Sequence, residues 1–547
     1  MPARIDPAEL AIAAALFSSV AEEMGVTLGR SAHSPNIKER HDYSCAVFDA
    51  AGRLVAQAAH IPVHLGAMPT AVEAALLAVR PEPRRSGAEA RVERFAPGDI
   101  IILNDPYLGG THLPDITMVS PVFLRRTLIG FVASRAHHAD VGGISPGSMP
   151  LAEELIQEGV VIPPIKLYER GRLNQAVLDL LLRNMRAPDE RRGDLDAQFA
   201  AQRTGEQRLR EIVSRNGLKR SHRLMDELMD YAERMTRAAL SAVPEGEYEF
   251  EDFLDDDGVS DERVPIRVHL TIRGGALHSD FSGSSPERPS SINAVAAVTR
   301  SAVYYVVRCL LEALVPGGDA VPANDGCFRP VTFTLPERSV VNAGPPRAVA
   351  AGNVETSQRI VDAVLGALSR SLPELVPAAS QGTMNNVAIG GFDPERSREF
   401  AYYETIGGGA GASPQRDGLD AVHTHMTNTM NTPAEALEMT YPFRLLEYAV
   451  RRGCGGAGRH RGGDGIVRTW EFLAPASVTL LTERRGPVGP WGLSGGEDGV
   501  PGRNRLEHAD GTTIDLPSKI ELKVEAGDRL TLETPGGGGW GAPSRSP

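Results

Sequence analysis

The sequence predicts a mixed α/β fold of the α+β kind: a large multi-lobed chain with a helical insert in its first half and a β-rich, glycine-rich second half. Three observations carry this reading. Two apolar β-type runs, 100–103 and 128–133, each end in a polar, glycine-containing loop. Charged helical patterning fills 169–217 and 221–243. From Gly382 onward, short β-type runs alternate with glycine clusters. At 547 residues the chain exceeds one typical domain. The boundary falls at 244–247 (P-E-G-E), giving lobes 1–245 and 246–547.

Taken in order, 7–25 reads as a helix, with Asp6 as N-cap before Pro7 and Gly25 near its end. Residues 42–57 read as a hairpin turning at 50–52, and 70–79 as a helix. The polar segment 81–94 reads as an exposed loop. Residues 148–165 mix turns with a short apolar run. Apolar positions 224, 228, 231, 235 and 240 follow the 3.6-residue period of an amphipathic helix. The period then changes: 248–254, 264–273 and 276–282 read as strands, the last two joined by G-G at 274–275. Helices follow at 292–315 and 355–371, and short strands at 331–335, 340–342, 400–406, 466–472, 478–481, 520–524 and 530–533. The last residues, S-R-S-P, read as a frayed tail.

Composition excludes several classes. A net charge of −13 disfavours nucleic-acid binding, which needs clustered Lys and Arg. The four cysteines, 45, 309, 327 and 454, are far apart, so neither a disulfide framework nor a four-thiolate zinc site is expected, and a reducing cytoplasm fits. The apolar run 10–20 is flanked by acids and reads as an amphipathic first helix; no uninterrupted apolar run predicts a bilayer span.

The residues between 100 and 147 hold the sharpest candidates for chemistry. His112-x-x-Asp115 and His137 bring imidazole and carboxylate to two strand ends, a donor set suited to zinc, manganese or iron with a coordination position left open. Asp42 would join them if the fold brings it near. The competing reading is a hydrogen-bonded turn with a core histidine. His423-x-His425 with Asn428 forms a second cluster, suited to substrate contact or to a plain polar loop; on a strand, the two histidines would face one side. None of the glycine-rich loops matches a phosphate-binding loop or a dinucleotide fingerprint, so a nucleotide would have to sit on another chain. Among nucleophiles, Cys454, flanked by Arg and Gly, is a better reactive candidate than Cys45, which lies in an apolar run.

Six motifs recur in one order along nearly the whole chain, 6–543: H-S-P-N-I-K-E-R-H-D-Y-S-C-A-V-F-D, G-D-I-I-I-L-N-D-P-Y-L-G-G-T-H-L-P-D-I-T, H-H-A-D-V-G-G, G-N-V-E-T-S-Q-R, T-N-T-M-N-T-P and P-G-G-G-G-W-G. The chain resembles the hydantoinase B family, which includes B-type subunits or domains of N-methylhydantoinase, 5-oxoprolinase and caprolactamase and related subunits of acetone and acetophenone carboxylases. The resemblance implies a partner, a hydantoinase A-type ATPase subunit that uses ATP to phosphorylate the substrate oxygen, in a heterotetramer. It implies a divalent metal, zinc or manganese, held by Asp42, His112, Asp115 and His137. Beside these, His138 and Asp140 are expected as proton-transfer or ligand-orienting groups, and His423, His425 and Asn428 as the substrate pocket.

The expected activity is ATP-dependent hydrolysis of a cyclic amide. Phosphorylation would turn a poor electrophile into an imidate-like carbon with a leaving group, and the metal would activate water toward it. Two alternatives are a subunit of an ATP-dependent ketone carboxylase and a non-catalytic partner that stabilises an A-type subunit.

Overall fold

The computed structural model describes residues 6–58, 60–78 and 95–543. The expected loop 81–94 and the S-R-S-P tail lie outside them. The largest sheet has seven antiparallel strands in the order β2-β1-β5-β4-β3-β6-β7. These are β1 (Tyr43–Asp49), β2 (Leu54–Gln57), β3 (Ile100–Leu103), β4 (Asp115–Leu124), β5 (Thr127–His137), β6 (Ile165–Glu169) and β7 (Arg172–Leu173). Its central strands are buried on both faces, so their apolar residues do not alternate with exposed polar ones. Along β1, Cys45 and Val47 pack toward the helices Pro7–Ser31 and Pro188–Asn216, and Ala46 and Phe48 toward Ala67–Ala78 on the other face.

The first helix starts as its sequence predicts: Asp6 Oδ1 accepts the Ala8 N–H at 2.9 Å. It runs on to Ser31 rather than stopping at Gly25. Gly25 is a close-approach residue, not a cap; an added Cβ would lie 2.6 Å from His60 Cε1. This helix is long and apolar enough by length and composition to cross a membrane. In the structure Phe17, Val20, Met24 and Leu28 are buried in the core beneath it.

Three further sheets follow. The order β11-β10-β9-β8 joins β8 (Gly246–Leu254), β9 (Val264–Arg273), β10 (Ala276–Asp280) and β11 (Val331–Thr334). The order β13-β12-β16-β19 joins β12 (Asn386–Asp393), β13 (Arg398–Glu404), β16 (Ala476–Leu481) and β19 (Lys519–Val524). The order β14-β15-β20-β17-β18 joins β14 (Phe443–Arg451), β15 (Gly465–Phe472), β17 (Arg503–Glu507), β18 (Thr513–Leu516) and β20 (Arg529–Glu533). The mixed α/β class holds. The expected strand at 340–342 is instead a tight turn, Asn342 N–H donating to Ser339 C=O at 3.0 Å. Strands β4, β6, β7, β12, β14, β17 and β18 are additions to the sequence reading.

The largest apolar core draws on both sides of residue 245, from Ile61 to Leu481. Arg40 ties the two halves together. It is fully buried and donates to Asn36 Oδ1 (2.7 Å), Tyr403 C=O (2.8 Å), Thr405 Oγ1 (2.8 Å) and Met430 C=O (3.3 Å). Its guanidinium lies 5.2 Å from the Tyr403 ring centroid.

Candidate metal centre

Strand register assembles the site. Asp115 opens β4 and His137 closes β5, and the two stand directly opposite in the antiparallel pair. β1 flanks β5 on the other side with Tyr43 opposite Ala136, so Asp42 arrives beside His137, whose N–H donates to the Asp42 carbonyl at 3.0 Å. Three neighbouring strand ends thus carry Asp42, His137 and Asp115 along one sheet edge. His112 joins from the preceding turn, closed by Asp115 N–H to His112 C=O at 3.2 Å.

His112 Nε2 lies 3.2 Å from His137 Nδ1 and 3.3 Å from Asp115 Oδ1, and His137 Nδ1 lies 3.5 Å from the same oxygen. Donors bound at about 2.1 Å to one cation stand roughly 3.0 Å apart in octahedral and roughly 3.4 Å apart in tetrahedral geometry. The three atoms therefore fit the ligand set of a single divalent ion. The second nitrogens, His112 Nδ1 and His137 Nε2, are buried and make no hydrogen bond. A hydrogen-bonded turn accounts for the contacts to Asp115, but not for two imidazole nitrogens turned to one point beside its oxygen.

The carboxylate is oriented from behind. Asp115 Oδ2 accepts from Thr111 Oγ1 and lies 3.3 Å from His64 Nε2, while His64 Nδ1 meets Ser44 Oγ at 2.8 Å. This leaves Oδ1 for the imidazoles of His112 and His137. Burial alone would raise the Asp115 carboxyl; His112 and His64 beside it hold it well below the usual range. Burial lowers His137 and His64, favouring the neutral imidazole that ligates metals. The Asp42 carboxyl is raised by burial, against the pull of His137 and of Arg40, whose Nη2 is 4.0 Å from Oδ2. Asp42 stands beside the three-residue cluster rather than within it. The His137 ring stacks on Tyr403, with centroids 4.3 Å apart and planes at 15°.

A cavity of about 20 Å³ is lined by Asp42, His64, Asp115, His137 and Asn353, among others. Ile61, Thr427 and Thr429 form walls of both this cavity and a much larger cleft of about 1660 Å³. The cleft carries the other predicted cluster, His423, His425 and Asn428. They lie on an irregular loop, not a strand, and His425 has a φ of 58°. Both ring nitrogens of His423 are buried without a partner, although the residue as a whole is part-exposed, and burial pushes its pKa down to about 3. His425 lies 3.4 Å from the Tyr305 hydroxyl and 3.6 Å from Asp362 Oδ1. Asn428 Nδ2 donates to the His60 carbonyl at 3.2 Å.

The remaining expected residues point elsewhere. His138 follows His137 just past the end of β5 and faces the opposite way, its Nε2 2.9 Å from Gln198 Oε1. Asp140 staples its own loop: its oxygens accept from the N–H groups of Gly142, Gly147 and Arg186 and from Arg186 Nη1. Neither touches the cluster, so the proton-transfer roles read from their proximity in sequence do not match their placement. Cys454 is buried, its thiol raised by burial and bonded to the Arg451 carbonyl and the Gly465 N–H, a structural rather than a reactive setting. Sequence reasoning gave no role to His64, Thr111, Asn353 or Tyr403. Signals were there for three of them: His64 as a histidine just after the first hairpin, and Thr111 and Asn353 as members of the motifs G-G-T-H-L-P-D and G-N-V-E-T-S-Q-R.

The hydantoinase B/oxoprolinase family pattern matches residues 6–543. The chain belongs to the hydantoinase B/oxoprolinase family. It is 40% identical to 5-oxoprolinase 1 of Arabidopsis thaliana over 98% of this chain, spanning 42% of that protein's length. It is 33% identical to a protein of Pseudomonas sp. (strain NS671) named as the B-type subunit of a D-/L-hydantoinase, covering 99% of this chain and 90% of the relative. Among solved structures, ATP-dependent caprolactamase from Pseudomonas jessenii superposes with a TM-score of 0.88 at 31% identity, over 100% of this chain and 93% of that one. Nucleotide-free acetone carboxylase shares the fold at 21% identity, with a TM-score of 0.87 over 96% of this chain and 74% of that one.

Proposed function

We propose that this chain is the metal-bearing B-type subunit of an ATP-dependent cyclic-amide hydrolase, acting on substrate that an A-type ATPase partner has phosphorylated, in a heterotetramer. The observation that carries the proposal is the convergence of His112 Nε2, Asp115 Oδ1 and His137 Nδ1, with Asp42 alongside, at a small cavity that shares its Ile61, Thr427 and Thr429 wall with a cleft large enough for a small-molecule substrate. The relatives named for oxoproline, hydantoin and caprolactam chemistry support the substrate class, and the hydantoinase relative, itself named as one subunit of its enzyme, supports an A-type partner.

His112, Asp115, His137 and Asp42 would hold zinc or manganese. That ion would supply Lewis-acid activation of water and of the substrate's oxygen substituent. The chain's own residues do the rest. Thr111 and His64 fix the Asp115 carboxylate, and Tyr403 holds the His137 ring plane. His423, His425 and Asn428 contact the substrate in the cleft. The cavity walls limit the water that reaches the reacting carbon.

Two measurements test this. Elemental analysis of purified protein should find a divalent metal that is lost in His112→Ala and Asp115→Ala. With the A-type partner, ATP turnover should depend on a cyclic amide; turnover that depends instead on a ketone with bicarbonate would overturn the hydrolase reading. Full activity of metal-free protein would overturn the metal reading.

A further inference from the structure

The segment Gly352–Thr356 is a π-helical turn leading into the helix Ser357–Leu368. Such turns insert a residue into the helical repeat, re-aim side chains and gather at functional sites. This one is clamped on several sides. Gly352 N–H donates to the Ser291 carbonyl at 2.9 Å, and a Cβ at this position would collide with the Asn293 carbonyl. Thr356 Oγ1 donates to the Ile292 carbonyl. Glu355 Oε1 accepts from Met384 N–H (3.1 Å) and Asn386 Nδ2 (2.7 Å). Just upstream, Glu158 Oε1 accepts from the N–H groups of Val349 (2.7 Å) and Ala350 (2.8 Å).

Within this fixed frame Asn353 is 4% exposed, and its Oδ1 has no hydrogen-bond partner. It lines the same small cavity as Asp42, Asp115 and His137. The other neutral hydroxyls there are engaged. Tyr403 donates to Asn386, Thr405 and Thr429 bond each other at 2.8 Å, and Thr427 meets Thr429 at 3.5 Å. A buried amide oxygen without a partner is costly to keep and points to a ligand that satisfies it. The cavity, about 20 Å³, has room for about one water and not for a ring.

We propose that Asn353 holds the attacking water, its Oδ1 accepting one O–H hydrogen so that the oxygen lone pair turns toward the cleft across the Ile61, Thr427 and Thr429 wall. This rests on the hydrolase reading of the same site. An amide does not ionise near neutral pH, so Asn353 orients the water and takes no proton from it.

The test uses Asn353→Leu, which has nearly the same size and no polar atom, and Asn353→Asp, which keeps an acceptor. Crystals of the full chain soaked in Mn²⁺ should show a water at about 2.7–3.2 Å from Oδ1 in the unaltered protein and none there in Asn353→Leu. Metal content should be equal in all three. In the complex with the A-type partner, ATP and a cyclic amide, Asn353→Leu should lower kcat by about 100-fold with KM unchanged within about twofold. Asn353→Asp should recover at least about tenfold of that loss. Loss of metal in Asn353→Leu would make Asn353 a ligand and overturn the proposal. A rise in KM with kcat intact would make it a substrate contact, and equal kcat values for the two variants would remove the acceptor role; each overturns the proposal. Unaltered protein without the water also overturns it, whereas failure of the unaltered complex to hydrolyse any cyclic amide overturns the hydrolase reading, so the two failures are read separately.

Discussion

The backbone N–H of His137 donates to the carbonyl of Asp42 at 3.0 Å, linking the end of the fifth strand to the start of the first. That bond brings a residue 95 positions away in the chain to the edge of the His112, Asp115 and His137 cluster. Asp42 is not within ligand spacing of the other three residues. On the proposed reading, its carboxylate would join the other three when an ion is bound. Asp42→Asn, which keeps the shape and loses the charge, should therefore weaken Mn²⁺ or Zn²⁺ binding by about 10–100-fold, and His112→Ala or His137→Ala by more than about 100-fold. Chelator competition measures both; equal affinities for Asp42→Asn and unaltered protein would place Asp42 outside the site.

His64 acts through Asp115. Removing its ring nitrogens leaves Oδ2 of that carboxylate held by Thr111 Oγ1 alone, so the carboxylate turns more easily away from the imidazoles. His64→Phe should cost about 10–100-fold in metal affinity while the protein stays folded by circular dichroism. Unchanged affinity would reduce His64 to a packing residue.

Arg40 satisfies acceptors on the strand β13 segment and on the 429–430 loop from the far side of the site. Arg40→Ala strands those acceptors in a buried setting and should destabilise the protein by about 3–5 kcal/mol in urea unfolding. Arg40→Lys should recover only part of this, because an ammonium cannot reproduce the planar fork.

Glu158 gives a pH signature. Burial pushes its carboxyl up to about 8 from an ordinary 4.5, with the Val349 and Ala350 N–H groups opposing. The folded form therefore binds the proton more tightly than the unfolded chain, and stability from this group is lost as pH rises from about 4.5 to about 8. Glu158→Gln resembles the protonated acid and should gain on the unaltered protein across that window, by at most about 1.4 kcal/mol per pH unit. Unfolding curves at pH 5 and pH 8 check this; a pH-independent difference would contradict it.

The element types were largely legible because their cause is local. Asp6 before Pro7, the G-G at 274–275 and the apolar runs of β3 and β5 each carry their own signal. The site was legible in part for the same reason: His112 and Asp115 lie in the loop after the readable run of β3, and His137 at the end of that of β5. What was hidden depends on register and packing. The His138 side chain turns away because strand residues alternate, and knowing which histidine faces inward requires knowing the pairing of β4 with β5. Asn353 stood in a quoted motif, G-N-V-E-T-S-Q-R, but its place at the cavity was hidden because a π turn has no reliable sequence mark. Gly25 misled because a glycine inside a helix and a glycine ending one look alike until the packed His60 ring is seen. Strand β14 was missed because most of its side chains are exposed or part-exposed, leaving no apolar alternation to read.

The glycine cluster at 536–539 has a consequence for the order of assembly. A Cβ on Gly536 would strike the Cys454 carbonyl, and one on Gly537 the Ala410 carbonyl, so bare backbone is slotted between loops that lie some 80 and 130 positions earlier. Gly538 N–H donates to the Ala379 carbonyl, and Gly537 N–H to that of Gly463. The loops near 410 and 455 thus complete their packing only when this segment lies between them. The seven-stranded sheet that carries His112, Asp115 and His137 needs none of it. Pulse-labelled hydrogen exchange should therefore show later protection around 410 and 455 than along the seven-stranded sheet.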